Sequence, residues 1–197
     1  LEVNLVGRGI LGESKKQILS EKPSEEYEAF VSIQVVPFGQ LYGGKICAAL
    51  DRQHPRDLFD VKYLLENEGL SRDVIIGFLL ALISNDRPIH EVLNPNFLDQ
   101  KKAMENQFLG MTSQNFSYED FEETRIKLVQ LTNKNLREED KEFLLSIKSL
   151  NPKWDIHDFE KFPAVRWKLQ NLEKLQKSNA KKHKQQLDSL KKHLDAV

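Results

Sequence analysis

Leu1, Val3 and Leu5 alternate with Glu2 and Asn4, the two-residue period of a half-buried strand, and Gly7 and Gly9 end the run. Residues 10–29 carry Gly12, Pro23 and several charges with weak periodicity, which suits a connecting loop or a short helix. Alternation returns in Phe30-Val31-Ser32-Ile33-Gln34-Val35-Val36, rich in β-branched residues, and Pro37 stops it. Two strands alone are marginal in water, so this pattern predicts a sheet completed outside the chain or covered by the helices that follow.

Beyond Gly39 the period becomes helical. A first helix is expected from Leu41 to about Asp51, and His54-Pro55 breaks it. Pro55 then suits the first position of a second helix, running to about Glu68 and closing on Gly69, with Asp57 near its positive end. Ser71 can cap a third helix whose stretch from Val74 to Ile83 is apolar nearly all round, so it should be buried. Amphipathic helices are expected over roughly Phe97–Leu109, Ser117–Leu131 and Leu136–Leu150, with starts at Ser117 and Asn135 followed by acids. From Pro163 a single long helix is expected. Its apolar ends, Val165, Leu169 and Leu172 against Leu187, Leu190 and Leu194, are interrupted by Gln176, Asn179 and His183, which should face solvent or a polar partner.

The expected fold is therefore α+β and predominantly α-helical, in three parts: residues 1–70 with the strands and first helices, a helical bundle over 71–160, and a basic C-terminal helix over 161–197. An apolar share of 40% excludes general disorder in a chain of 197 residues. No run of 18 apolar residues and no signal segment is present, and Cys47 stands alone, so the sequence reads as soluble and cytoplasmic, with no membrane partner. Leu1 opens inside a strand pattern without an initiator Met, as if the chain were cut from something longer.

The net charge of -1 excludes a chain-wide polycation but hides an uneven distribution. Residues 161–197 hold ten Lys+Arg and three Asp+Glu, a balance of +7, which leaves 19 minus 27, or -8, for residues 1–160. Lys177, Lys181, Lys182 and Lys184 crowd within two turns. They suit either a solvated lysine face or a surface that tracks nucleic-acid phosphates without reading bases.

One stretch carries candidate chemistry. Gly43-Gly44 precede Lys45 and would let a backbone or ligand come close, and Lys45 and Arg52, seven apart, share a helix face. Asp57 and Asp60, three apart, share a face of the next helix, which Arg56 opens. Two cations opposite two carboxylates across a tight turn could hold a triphosphate and help set Mg²⁺. The same residues could equally form helix-end salt bridges. Asp60 is the more telling acid, because it sits among Leu58, Phe59, Val61 and Leu64, where a carboxylate is costly unless partnered.

The run from Leu41 to Leu64, with Lys45, Ala49-Leu50, Arg52 and Arg56-Asp57-Leu58-Phe59-Asp60, resembles the late motif of the AbiEii/AbiGii family of nucleotidyltransferase toxins. The resemblance covers residues 1 to about 70. It implies a polymerase-beta-like nucleotidyltransferase fold followed by helices, of which this chain would hold the carboxyl-terminal part and a remnant of the sheet. It implies the toxin half of a bacterial toxin-antitoxin or abortive-infection pair, moving a nucleotide from an NTP to an acceptor, with tRNA a target in relatives and a cognate antitoxin as partner. By the same resemblance Lys45 binds NTP phosphates and Asp60 is the later active-site acid, supported by Arg56 and Asp57, and Arg52 joins Lys45 and Arg56 as a nucleotide-binding candidate. The family's Gly-Ser motif with its Mg²⁺-holding Asp-x-Asp has no counterpart here, so the chain alone is expected to be inactive or nearly so and to hold neither Mg²⁺ nor NTP firmly. The alternative reading is a noncatalytic helical module that binds RNA or protein.

The remaining candidates read as structural. His54, His90, His157, His183 and His193 lack metal-ligand spacing and suit surface or turn positions. Cys47 suits a buried small hydrophobe. Trp154 and Trp167 suit packing anchors rather than base-stacking platforms, and Ser113 and Ser117 lie in no nucleophile elbow.

Overall fold

The computed structural model describes residues 9–197, so the strand expected over residues 1–6 lies outside the described residues. The second expected strand is present as β2, Ser32–Val35. Its antiparallel partner is β1, Lys15–Ile18, with Lys15 opposite Val35 and Ile18 opposite Ser32. The short helix α1, Glu21–Glu26, connects them. The stretch over residues 10–29, expected as a loop or a short helix, thus holds the short helix α1 and also a strand. Lys-Lys-Gln-Ile carries no apolar alternation because β1 is exposed along its whole length, and Phe30 and Ile33 of the second alternating run are also exposed.

Helices α2 (Phe38–Arg52), α3 (Pro55–Asn67) and α4 (Arg72–Leu82) follow near the expected positions. His54 caps α3 through its ring, and Ser71 caps α4 by accepting from the Val74 N–H. Helices α2 and α4 touch backbone to backbone. A methyl group on Gly43 would lie 2.2 Å from the Phe78 nitrogen, and one on Gly77 would lie 2.1 Å from the Gly39 carbonyl oxygen, so only glycine permits this approach. Gly44 faces open space. Of the two glycines before Lys45, one therefore serves helix packing and the other leaves room.

After α5 (Ile89–Leu93) the expected helix from Phe97 is delayed to α6 (Lys101–Ala103), which runs into a π-helical turn, Met104–Phe108. The cause is a buried side chain from elsewhere. Gln53, left-handed at the end of α2 (φ 53°), donates to the Asn96 carbonyl at 2.8 Å and accepts from the Leu98 N–H at 3.1 Å. Arg125 donates to the Leu98 carbonyl at 2.7 Å, so these backbone groups are satisfied outside a helix.

Ser117 and Asp120 form a reciprocal cap on α7 (Tyr118–Lys134), as the spacing predicts. Asn135 instead closes α7, and α8 (Glu138–Lys148) starts where Asp140 reaches back to the Arg137 N–H. The basic tail is two helices rather than one: α9 (Pro163–Ser178) and α10 (Ala180–Leu194). Asn179 breaks the helix (φ -151°, ψ 72°) and caps α10 through the Lys182 N–H. Folding back at Asn179 lets α10 pack on α9, α5 and α8. Leu172, Leu190 and Leu194 thereby enter one hydrophobic cluster with Ile46, Phe78 and Phe143. The polar interruption is a turn, and His183, expected at the surface, is buried.

The architecture is α+β and mostly helical. No described helix is long and apolar enough to cross a membrane.

Candidate functional site

The α2–α3 hairpin brings the motif residues together. Lys45 Nζ donates to Asp60 Oδ2 in an ion pair. At the turn end of the hairpin, Arg52 Nη2 lies 2.9 Å from both Asp57 carboxylate oxygens, donating to Oδ1, while the buried Oδ2 receives no aligned hydrogen bond. The two cation–carboxylate rungs expected from the spacing therefore form. Arg56 is exposed, and its guanidinium makes no ion pair among the described residues.

Lys45 and Asp60 line an open cleft of about 310 Å³, together with Tyr42, Phe59, Tyr63, Thr112, Ser113 and Gln114. Arg52, Arg56 and Asp57 do not line it. The last three cleft residues come from a loop some fifty positions after Asp60. Sequence reasoning dismissed Ser113 and did not single out Thr112 or Gln114. What delivers the loop is aromatic packing: Phe108 and Phe116, one on each side of it, sit 5.3 and 5.5 Å from Phe59 between ring centres and 5.5 Å from each other. Phe59 is the neighbour of Asp60, so the same residue that anchors the loop positions it over the ion pair. The only local signal was the Phe108–Phe116 spacing around Gly110, whose φ of 85° turns the chain.

Beside the cleft, Lys62 donates to Asp120 at 2.7 Å and ties α3 to the start of α7. This bond, with those from the Ser117 N–H and hydroxyl, holds the Asp120 carboxyl down to about 2. A second tie centres on a fully buried carboxylate. Asp140 accepts two bonds from Arg72, at 2.6 and 2.8 Å, and lies 2.8 Å from His157 Nε2. Burial pushes this carboxyl up, but the bonds from Arg72, His157 and the Arg137 N–H outweigh it and hold it well below the usual carboxylate range.

No group of three or more His, Cys, Asp or Glu side chains converges as a metal would require among the described residues. Asp57 and Asp60 each face a cation instead, so these residues do not fit a Mg²⁺ site by themselves. The histidines are placed structurally: His54 caps α3, His157 holds Asp140, and His193 lies 2.9 Å from Asn133 Oδ1. Cys47 is buried. Trp154 packs at the core edge near Phe143. Trp167, expected as a packing anchor, is 56% exposed, with the Lys174 ammonium over its ring. Lys177, Lys181, Lys182 and Lys184 are all exposed around the α9–α10 turn.

A mostly helical α+β protein with a lysine–aspartate pair in an open cleft is the class that fold and site define. Within it, the chain belongs to the nucleotidyl transferase AbiEii toxin family of type IV toxin-antitoxin systems, whose sequence profile matches residues 1–171. The match reaches into α9, well past the first 70 residues that carried the motif. No curated protein and no solved structure matched the chain.

Proposed function

We propose that the Lys45–Asp60 cleft is the nucleotide site of a transferase that moves a nucleotide from an NTP to an acceptor, tRNA being the acceptor class the family resemblance suggests. The observation that carries this reading is the convergence of Lys45, Asp60, Tyr42 and Tyr63 with the Thr112–Gln114 loop in one cleft. Lys45 has three N–H donors and spends one on Asp60, which leaves donors for phosphate oxygens. Asp60 holds the ammonium in place and is the acid of the site. The tyrosine rings offer faces for a base. Arg52 and Arg56, at the other end of the hairpin, add positive potential for the phosphates, and Asp57 fixes Arg52.

Mg²⁺ would neutralise charge on the reacting phosphates, but the residues present do not assemble a site for it. The sequence contains neither a Gly-Ser dipeptide nor an Asp-x-Asp. In this reading the 197 residues bind nucleotide only weakly and transfer it little by themselves. A cognate antitoxin is the partner implied by family, and the exposed lysines at the α9–α10 turn are the surface for nucleic acid.

Equilibrium binding of a fluorescent NTP tests the proposal, with Lys45→Ala and Asp60→Ala as variants. Binding lost or much weakened in Lys45→Ala supports it. Binding equal in the wild type and both variants rejects it. Salt-sensitive RNA binding that survives Lys45→Ala and is lost on neutralising Lys177, Lys181, Lys182 and Lys184 would favour the noncatalytic module.

A further inference from the structure

A second cavity, of about 110 Å³, lies where α5, α8, α9 and α10 meet, and two lysines from different helices line it. Lys148 of α8 and Lys168 of α9 are only 3% and 6% exposed. A buried ammonium is normally matched by a carboxylate. Neither lysine makes an ion pair among the described residues. Lys168 Nζ donates to the backbone carbonyls of Asn85 and Arg87, the latter at 2.7 Å, and Lys148 Nζ donates to Gln186 Oε1 at 2.7 Å.

These acceptors are neutral, and they are too few. Each ammonium has three N–H donors, so one on Lys168 and two on Lys148 have no acceptor among the described residues. The ring of His183, buried beside Lys148, also has an unpartnered Nε2. Asp86 is the one carboxylate lining the cavity, and it is exposed. The site thus has two buried positive charges, spare donors and a volume suited to one small anion.

We propose that this cavity binds a single phosphate group between Lys148 and Lys168. The group is free inorganic phosphate or a phosphate of a ribonucleotide chain, since both present anionic non-bridging oxygens as acceptors. The site stands apart from the Lys45–Asp60 cleft and does not depend on its reading. Gln186 belongs to α10, beyond the residues the family profile matches. An anion held by Lys148 and Lys168 would therefore lie within the family region, beside the α10 residue Gln186 that also lines the cavity.

The groups around the two ammoniums set how binding varies with pH. Lys148 is faced by Lys168, and it in turn bears on His90 of α5 and His183 of α10. Lys168 is faced by Asp86, Cys47 and Asp51. Burial lowers both lysines to about 8, so an anion that prefers the charged forms should bind more weakly above that pH.

The test is a titration of the full chain with inorganic phosphate, read by calorimetry at constant ionic strength against a chloride control. The expected result is saturable one-to-one binding at pH 7, weakened about tenfold or more at pH 9.5. Lys148→Met and Lys168→Met should each abolish it, with folding checked by circular dichroism, while Lys192→Gln on the exposed face of α10 should leave it intact. A short ribo-oligonucleotide distinguishes the sources. Competition with phosphate and loss in Lys148→Met place the group on RNA, whereas oligonucleotide binding unaffected by that variant leaves free phosphate as the ligand. No saturable phosphate binding by the wild type, or equal binding by folded Lys148→Met, overturns the proposal. Should both methionine variants fail to fold, Gln186→Leu, which removes the acceptor that positions the Lys148 ammonium, serves in their place: altered phosphate affinity supports the site, and affinity equal to that of the wild type overturns it.

Discussion

Lys45 and Asp60, fifteen residues apart in sequence, meet as an ion pair between adjacent turns of α2 and α3 while both side chains stay more than a third exposed, at 37% and 39%. A pair so open to water contributes little to folding, about 0–1 kcal/mol. The pair can therefore be altered with little effect on folding, which separates a binding role from a structural one.

Lys45→Ala should accordingly leave the melting temperature nearly unchanged and weaken NTP binding by roughly 10- to 100-fold, the worth of one or two charge-assisted hydrogen bonds. Thermal melting and nucleotide titration on the same sample check it. A large fall in stability with unaltered binding would mark the pair as structural.

Gly43→Ala and Gly44→Ala should behave oppositely despite being neighbours. The first puts a methyl group 2.2 Å from the Phe78 nitrogen and forces α2 off α4, at a cost of about 1–3 kcal/mol or more. The second meets no atom within 4 Å, and the better helix former should stabilise by up to about 1 kcal/mol. Urea unfolding of the two variants provides the comparison.

Asp140→Asn should destabilise by about 1–3 kcal/mol, because it removes a fully buried carboxylate bonded by Arg72, His157 and the Arg137 N–H and leaves the partly exposed Arg72 with only Glu139 as counter-ion. The pH dependence has a definite sign. Asp140 and Asp120 both have folded values below the ordinary one, so their stabilisation is complete above about pH 4 and is lost as pH falls below it, for Asp120 through about 2. Acid unfolding of Asp140→Asn should begin from a lower plateau and be less steep than that of the wild type.

At the basic end the sign reverses. Lys148 and Lys168 titrate near 8 when folded and near 10.5 when unfolded, so the unfolded chain binds more protons between these values. In phosphate-free buffer their contribution to stability should rise with pH from about 8 to 10. A Lys148→Met, Lys168→Met double variant should lose that rise and be more stable than the wild type at pH 7, as calorimetric melting in a non-coordinating buffer would show.

Helices α3, α4 and α7 were legible because their signals are local. Ser71 and Ser117 cap what their spacing predicts, Pro55 starts α3, and the seven- and three-residue intervals in the motif put Lys45, Arg52, Asp57 and Asp60 where two ion pairs form. Strand β1 was not legible because it buries neither face. The delayed start of α6 was not legible either, because Gln53 and Arg125, from distant positions, satisfy its backbone.

The motif spacing and the -8 to +7 charge split are properties of the chain that folding leaves intact. Tertiary structure decided which partners those residues meet: that Gly43 serves α4 while Gly44 stays open, that Phe59 gathers Phe108 and Phe116 so the Thr112–Gln114 loop completes the cleft, and that Lys168, one of the tail's ten positive charges, is buried rather than solvated. Caps and periodicity depend on groups a few residues apart, which the order of residues dictates directly. Burial depends on which distant apolar surfaces close over a side chain, and that is settled only when the helices pack.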